Sequence, residues 1–468
     1  MTETRTEHDL IGERHVPARR FFGIQTLRAL ENFEITRIPI SHYPQFIDAL
    51  AYVKKAAALT NQQLGLLEAQ VAATVIQACD EILNGQFHTE FVVDAIQGGA
   101  GTSTNMNANE VIANRANQIL GGELGTYDRV HPNNHVNMSQ STNDVYPTAL
   151  RLALHTKLDS LLTEMTALQD LFAVKGAEFA DVIKMGRTQL QDAVPMTLGQ
   201  VFDAYAVTIG EDIQRVTEAQ ALIREINMGA TAIGTGLNAH PMYAALVTQK
   251  LSELTGISLS TAANLVEATQ DTGAYVQLSG VLKRVAVKLS KTCNDLRLLS
   301  SGPRAGLNEI NLPRMAPGSS IMPGKVNPII PEVVNQVAFQ VIGNDVAITM
   351  AAEAGQLELN VMEPLIAYNL FSSIDMLGRG CRTLGERCIQ GITANRDVCR
   401  ANVENSIGLV TALNPVLGYE KSSEIANEAL KTGGSVYEIV LQKGYLSQAE
   451  LDDWLKPENM TRPRYLHR

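Results

Sequence analysis

The sequence predicts a mainly helical, all-α fold organised around a central bundle of long helices, and three observations carry that expectation. Apolar residues recur at three- and four-residue spacing over long stretches. Short loops of Gly, Pro, Ser, Thr and Asn separate those stretches, and 45% of the 468 residues are hydrophobic, enough to fill large cores.

In chain order, residues 1–141 read as an N-terminal, mostly helical domain of shorter elements. The opening Met1-Thr-Glu-Thr-Arg-Thr-Glu-His8 is polar, without an apolar export segment. Nothing downstream reaches the uninterrupted apolar length of a membrane span. Residues 142–395 read as a five-helix bundle. Helical runs cover about 151–178, the stretch after Pro195, about 272–299, about 331–354 and about 364–390. In the second, Leu198, Phe202, Tyr205, Ile209, Ile213, Val216 and Ile223 form one apolar stripe; in the fourth, Val333, Val337, Val341 and Ile348 do so. Helices of about 25 to 30 residues are roughly 40 Å long at 1.5 Å per residue, well above the globular average. Such lengths in succession predict a bundle. Between Val333 and Ala352 apolar residues occupy more than one face and polar residues are scarce, so such helices are expected to bury a second face against other subunits. Residues 396–468 read as a small C-terminal helical domain. There Ser447-Gln-Ala-Glu450 forms a capping box, opening a short helix that carries Trp454 and Leu455 and stops near Pro457.

Charge and cysteine usage exclude several function classes. With 38 Lys and Arg against 49 Asp and Glu, the net charge is -11. No basic footprint exists for nucleic acid or an acidic membrane. A small anionic substrate would then need locally placed cations and dipoles. Cys79, Cys293, Cys381, Cys388 and Cys399 are odd in number, lack zinc spacing and fall mostly in helical runs, so buried reduced thiols and a cytoplasmic location are expected. No His/Asp/Glu cluster suggests a metal site, and no cofactor is expected.

Four loops concentrate polar chemistry. Gly318-Ser-Ser-Ile-Met-Pro-Gly-Lys-Val-Asn-Pro328 combines two hydroxyls, two glycines and one cation without periodicity. Gly318 and Gly324 allow backbone that exposes N–H groups, Pro323 and Pro328 restrict the segment, and Lys325 supplies a point charge for a carboxylate or phosphate. A surface turn uses the same residue types. Gln97-Gly-Gly-Ala-Gly-Thr-Ser-Thr-Asn105 sets glycines before hydroxyls and amides, and lacks the Gly-Lys-Ser/Thr of a nucleotide loop. Thr102 there suits both a helix cap and a donor. Ser139-Gln-Ser-Thr-Asn-Asp144 places Ser141, Thr142 and Asn143 beside Asp144, a candidate N-cap. Gly186-Arg-Thr-Gln-Leu-Gln-Asp192 leads toward the helix after Pro195. Each of the last three loops, alone, more often means capping than catalysis; as a set preceding helices, they sit where free N–H groups and the dipole favour anions.

The order Gly318-Ser-Ser-x-Met-Pro-x-Lys-x-Asn-Pro328 resembles the signature of the aspartase/fumarase superfamily. Gly98-Gly-Ala-Gly-Thr-Ser103, Ser139-Gln-Ser-Thr-Asn-Asp144 and Gly186-Arg-Thr188 resemble its other segments, and the resemblance runs from Phe22-Gly-Ile-Gln-Thr-Leu-Arg28 to Leu413-Asn-Pro-Val-Leu-Gly-Tyr419. It implies the three-domain fold of that superfamily and loss of a group from a succinate skeleton to give fumarate. Fumarases resemble one another in carrying His where this chain has Gln189. Gln cannot exchange a proton near neutral pH but can hold an ammonium through its carbonyl. Pro331-Glu-Val-Val-Asn-Gln-Val-Ala-Phe339 and Gln356-Leu-Glu-Leu-Asn-Val-Met-Glu-Pro364 also look like the aspartase branch.

The implied reaction is L-aspartate to fumarate and ammonia through an enediolate. The resemblance gives Ser319 the role of general base and assigns Thr102, Ser141, Thr142 and Ser320 to the β-carboxylate. Lys325 and Asn327 fall to the α-carboxylate, and Asn143, Thr188 and Gln189 to the amine. It implies a mobile loop, Gly318, Ser319, Ser320, Ile321, Met322, Pro323, Gly324, Lys325, Val326 and Asn327, closing over substrate. It also implies a homotetramer whose sites each draw on three chains. The alternatives are a class II-type fumarase, another succinate-forming lyase, and a non-catalytic protein that keeps the fold.

Overall fold

The computed structural model describes residues 3–463, so the outermost residues of the expected first and last domains, 1–2 and 464–468, lie outside it. Two strands, β1 (Thr4–Asp9) and β2 (Gly12–Pro17), open the chain, followed by α1 (Ile24–Asn32), α2 (Pro44–Gln63), α3 (Ala69–Leu83) and α4 (Thr102–Ile119). The long α5 (Thr142–Glu178) leads into β3 (Ile183–Thr188), β4 (Gln191–Thr197) and α6 (Leu198–Leu222). Then come α7 (Tyr243–Thr255), α8 (Leu265–Gln270), α9 (Gly273–Leu299), α10 (Ile329–Glu353) and α11 (Glu363–Arg387). Short helices end the chain: α12 (Arg396–Glu404), α13 (Val410–Leu417), α14 (Tyr419–Thr432), α15 (Val436–Gln442), α16 (Gln448–Trp454) and α17 (Pro457–Met460).

All five expected long helices are present, and the apolar stripe of α6 is buried at Leu198, Phe202, Tyr205, Ile209, Val216 and, just past the helix end, Ile223. One expectation needs lengthening: α5 begins at Thr142, nine residues before the expected 151, and passes through Pro147. Proline has no N–H, so the carbonyl of Asn143, four residues back, loses its helical donor. Asn227 replaces it, its Nδ2 donating to Asn143 O at 3.0 Å. The capping box at Ser447 forms as expected.

The described residues fall into two compact units. The first comprises Met1–Leu162, Gln214–Arg284 and Phe339–Gly378. Its β1–β2 hairpin is antiparallel from Thr4↔Pro17 to Asp9↔Gly12, and Arg28 clamps Asp9 through bonds of 2.7 and 2.8 Å. Phe46, Ile47, Leu50 and Val53 bury one face of α2, which packs on α3 and α7. The start of α1 has no cap of its own. Glu110 on α4 takes that part, accepting from Gly23 N, Gln25 N and Thr26 N at 2.8, 2.8 and 3.1 Å.

The second unit comprises Thr163–Ile213, Val285–Ala338 and Arg379–Arg468. Phe172, Phe179, Phe202 and Tyr205 form a ring cluster where α5 meets α6. A separate small core gathers Ile183, Met185, Val403, Leu413, Ile425, Val440 and Leu451. There α12 packs along β3. Among the described residues no helix is long and apolar enough to cross a membrane.

Candidate active site

Two helix starts meet in the first unit. Gly99, Ala100 and Gly101 turn the chain with φ of 87, 57 and 91°, which glycine adopts readily and alanine does not. A Cβ on Gly101 would lie 2.1 Å from the Tyr146 ring, so the beginning of α4 rests directly on the first turns of α5. Thr102 is the first helical residue, not the cap expected of it. Gly101 holds the cap position, and the Thr102 hydroxyl donates to Gly99 O at 2.8 Å.

The start of α5 is closed reciprocally. Ser141 Oγ accepts from Asn143 N at 3.2 Å, and Asp144 Oδ1 accepts from Ser141 N at 3.0 Å. Ser141 is therefore the capping residue and Asp144 its reciprocal partner, rather than Asp144 the cap. The other Asp144 oxygen accepts from Gly229 N and Thr231 N at 3.2 and 2.9 Å. Burial pushes the Asp144 carboxyl up to about 7, against those backbone N–H bonds. Asn143 Nδ2 donates to Ala232 O at 2.7 Å.

Thr142 is buried, and its Oγ1 accepts from Asn105 Nδ2 at 3.1 Å, which leaves the Thr142 proton free to donate elsewhere. Asn105 is in turn held by Lys54, whose Nζ donates to Asn105 Oδ1, Gln140 Oε1 and Asn137 Oδ1 at 2.6, 2.8 and 3.1 Å. All three ammonium protons thus find amide oxygens. Burial nevertheless pulls the Lys54 amine down to about 7, with Asp144 opposing.

Lys54 and the 227–232 segment border these helix starts, and neither was among the residues expected from the sequence. Signals existed for both. Lys54 interrupts the buried face of α2, where a cation needs partners. Gly229-Ala-Thr-Ala-Ile-Gly-Thr-Gly236 repeats the glycine and hydroxyl composition of the other loops.

In the second unit, Gly186-Arg-Thr-Gln-Leu-Gln-Asp192 does not open a helix, contrary to expectation. It forms the end of the β3–β4 hairpin, with Thr188 paired to Gln191, and α6 begins only at Leu198. The alternation of buried Ile183 and Met185 with more polar neighbours near the tip favours strand, and Arg187 and Lys184 anchor it on buried Glu309 at 2.5 and 3.1 Å. No helix dipole serves this loop. Instead a two-residue turn presents exposed Gln189 and Leu190, with φ of 55 and 62°. Hairpin turns with both residues left-handed normally use Asn-Gly, so this tip is strained by about 1 kcal/mol or more.

The 318–327 loop closes on itself. Gly318 N donates to Lys325 O at 2.8 Å, and Asn327 Nδ2 donates to Gly318 O at 2.5 Å. Within it Ser319 Oγ accepts from Met322 N at 2.9 Å and from Ile321 N at 3.2 Å. Ser320 and Lys325 are exposed, Ser319 and Asn327 half-buried. The structure therefore brings Thr102, Ser141, Thr142 and Asn143 together on two helix starts. It gathers Ser319, Ser320, Lys325 and Asn327 in one loop, and sets Thr188 and Gln189 on a hairpin tip. No hydrogen bond joins that tip to the loop among the described residues.

All five cysteines are free and buried; burial pushes the thiols of Cys79, Cys381 and Cys388 up to about 12. Among the described residues no group of three or more His, Cys, Asp and Glu is arranged to hold a metal ion.

Comparison with known proteins adds to this geometry. Residues 12–343 match the family model described as Lyase, and residues 409–462 match that described as Fumarase C C-terminus. The chain is 62% identical to an aspartate ammonia-lyase of Pseudomonas fluorescens, over 98% of this chain and 96% of that one. It is 60% identical to an aspartate ammonia-lyase of Helicobacter pylori, over 98% of each. Among solved structures, a fumarate lyase:delta crystallin from Brucella melitensis, bound to cobalt, superposes with a TM-score of 0.96 at 57% identity, covering 98% of this chain and 100% of that one.

Proposed function

We propose a reaction from one premise: the chain belongs to the lyase family. It is an enzyme that eliminates ammonia from L-aspartate and releases fumarate, the chemistry carried by the name of its relatives at 60 and 62% identity. The presence of Gln189 favours an amine over a hydroxyl as leaving group. A hydroxide must be protonated as it departs, whereas an ammonium needs only an acceptor such as a Gln carbonyl.

Ser319 Oγ takes the proton from the carbon beside the β-carboxylate. The electron pair moves onto that carboxylate as an enediolate, then returns to form the double bond as the C–N bond breaks. Ser141, Thr142 and Ser320 donate to the enediolate oxygens, and Thr102 joins them once its hydroxyl turns from Gly99 O to the substrate. Lys325 and Asn327 bind the α-carboxylate, while Asn143, Thr188 and Gln189 orient the amine.

The observation that carries this reading is the pair of N–H groups, from Ile321 and Met322, on Ser319 Oγ. A serine acts as a base only when its alkoxide is stabilised. Lowering its pKa by roughly 6 units requires about 8 kcal/mol. Two hydrogen bonds to a charged oxygen contribute about 1.5–3 kcal/mol each. They supply about 3–6 kcal/mol, and the shortfall of a few kcal/mol must come from Lys325, whose attraction for the alkoxide strengthens as loop closure excludes water. Loop closure would show as protection of residues 318–327 from proteolysis at saturating substrate; unchanged cleavage would count against it.

The active species is a homotetramer whose sites each draw on three chains. Exposed Val207 on α6, Val287 on α9, and Phe339, Val346 and Met350 on α10 support this, since they leave apolar faces on the long helices uncovered. A catalytically active monomer in sedimentation would refute it. The functional division of the chain is 1–141, 142–395 and 396–468, and its location is cytoplasmic.

The test is ultraviolet absorption of fumarate when the enzyme receives L-aspartate, malate or argininosuccinate in turn. Fumarate should form from L-aspartate and not from malate. Ser319→Ala should abolish turnover with the assembly intact.

A further inference from the structure

Beside the small C-terminal core of the second unit lies a half-open cavity that the proposed reaction does not use. Its volume is about 450 Å³, within the range of small-molecule sites. One wall is apolar, formed by Ile183, Val403 and Leu409 of the buried core with Leu455 beside them. The other wall carries charges of both signs. Arg400 and Glu404 come from α12, and Glu438 from α15.

Arg400 and Glu404 stand four residues apart on one helix, a spacing at which opposite charges can meet. Yet among the described residues neither they nor Glu438 forms a side-chain ion pair. Asp452, also in the wall, is by contrast engaged, accepting from the Tyr437 hydroxyl at 2.5 Å. Arg400, Glu404 and Glu438 are exposed and solvated, so the half-open cavity offers one guanidinium and two carboxylates without protein partners beside a hydrocarbon surface. A fatty acid would leave the two carboxylates unmatched, and a simple amine would leave the guanidinium unmatched. A zwitterion with an apolar tail matches all three.

We propose that this cavity binds a free α-amino acid with an apolar side chain. Its carboxylate meets Arg400, its ammonium meets Glu404 and Glu438, and its side chain lies against Ile183, Val403 and Leu455. The planar fork of Arg400 suits a carboxylate held by two parallel bonds.

Titration calorimetry of the full chain with L-leucine tests this. Saturable binding is expected, and Arg400→Leu or the pair Glu404→Gln and Glu438→Gln should each weaken it about tenfold or more. All three residues lie on short helices of the cavity wall, and thermal unfolding of each variant establishes that it folds. Two truncated probes complete the test: 3-methylbutylamine lacks the carboxylate and 4-methylpentanoate lacks the ammonium, and each should bind about tenfold more weakly than leucine. Binding should persist in saturating fumarate. The proposal falls if leucine gives no saturable heat, if folded variants bind it unchanged, if either truncated probe binds as tightly, or if fumarate displaces it.

Discussion

Replacing Gly318 by Ala should disable the enzyme without unfolding it. A Cβ at this position would lie 2.2 Å from Lys325 O and 2.6 Å from Val326 Cα. Side-chain carbons essentially never approach other atoms closer than 3.0 Å, so the strands of the loop must part by at least 3.0 − 2.2 = 0.8 Å. Parting them breaks the Gly318 N to Lys325 O bond of 2.8 Å and strains that from Asn327 to Gly318 O. Two hydrogen bonds at about 1 kcal/mol each correspond to roughly a 30-fold loss of the closed-loop geometry. A displacement near 1 Å of a positioned base costs about 100-fold in rate. We expect kcat to fall between about 30- and 100-fold, with the melting temperature nearly unchanged because the loop is largely exposed. Gly324→Ala is the control. Gly324 has φ of +81° and nothing within 4 Å of the added carbon, so only backbone strain of about 1 kcal/mol applies. Fumarate formation from L-aspartate, followed by absorbance beside thermal melts, measures both. If Gly318→Ala keeps kcat within threefold of the parent, or if Gly324→Ala is the more damaging change, the argument that closure of this loop positions Ser319 is wrong.

Two further predictions concern buried charges in the first unit. Lys54→Met leaves Asn105, Asn137 and Gln140 oxygens without their ammonium donor; at about 1–3 kcal/mol for an unpaired buried acceptor, offset by removal of a buried charge, about 3 kcal/mol of stability should be lost. Its kcat should fall as well, because Asn105 no longer holds Thr142, so urea unfolding with unchanged midpoint would contradict this account. Glu363 is pushed by burial up to about 8 from 4.5, with Arg151 opposing. Its folded form keeps a proton that the unfolded form has lost above about 4.5, so stability falls as pH rises from there to about 8. At about 1.4 kcal/mol per unit that loss is of order 5 kcal/mol, and Glu363→Gln should remove this part of the slope in melts between pH 5 and 8. A variant with the parent's pH dependence would place the effect elsewhere.

The elements that the sequence made legible are those whose cause is local. The stripe from Leu198 to Ile223 needs only neighbours three and four residues away, and α6 follows it to within a residue or two. The capping box at Ser447 is likewise contained in four residues. The cap assignments at Thr102 and Asp144 shifted by one to three residues, whereas two larger errors involve partners distant in sequence. The run was expected from about 151, whereas α5 begins at Thr142 and passes through Pro147, with Asn227, 84 residues away, supplying a donor to the Asn143 carbonyl. Arg187 read as part of a helix-leading loop, but its partner Glu309 lies 122 residues on and favours a hairpin.

The candidate site divides along the same line. Ser319 was readable because its two N–H donors come from the next three residues, and the same short span made the signature recognisable. Lys54 was readable only as a buried cation in need of partners, because the acceptors themselves lie 51, 83 and 86 residues away. A lysine in an apolar stripe reads locally as a defect. Folded, it ties Asn105 at the start of α4 to Thr142 at the start of α5, so two helix dipoles that the sequence offered as separate anion sites share one buried cation beneath them. On the proposed mechanism, the charged form of this fully buried lysine raises the positive potential on the side where the carboxylate gathers charge as an enediolate. The hydroxyls named from the sequence are thus the visible edge of an electrostatic arrangement whose centre is a residue no motif contains.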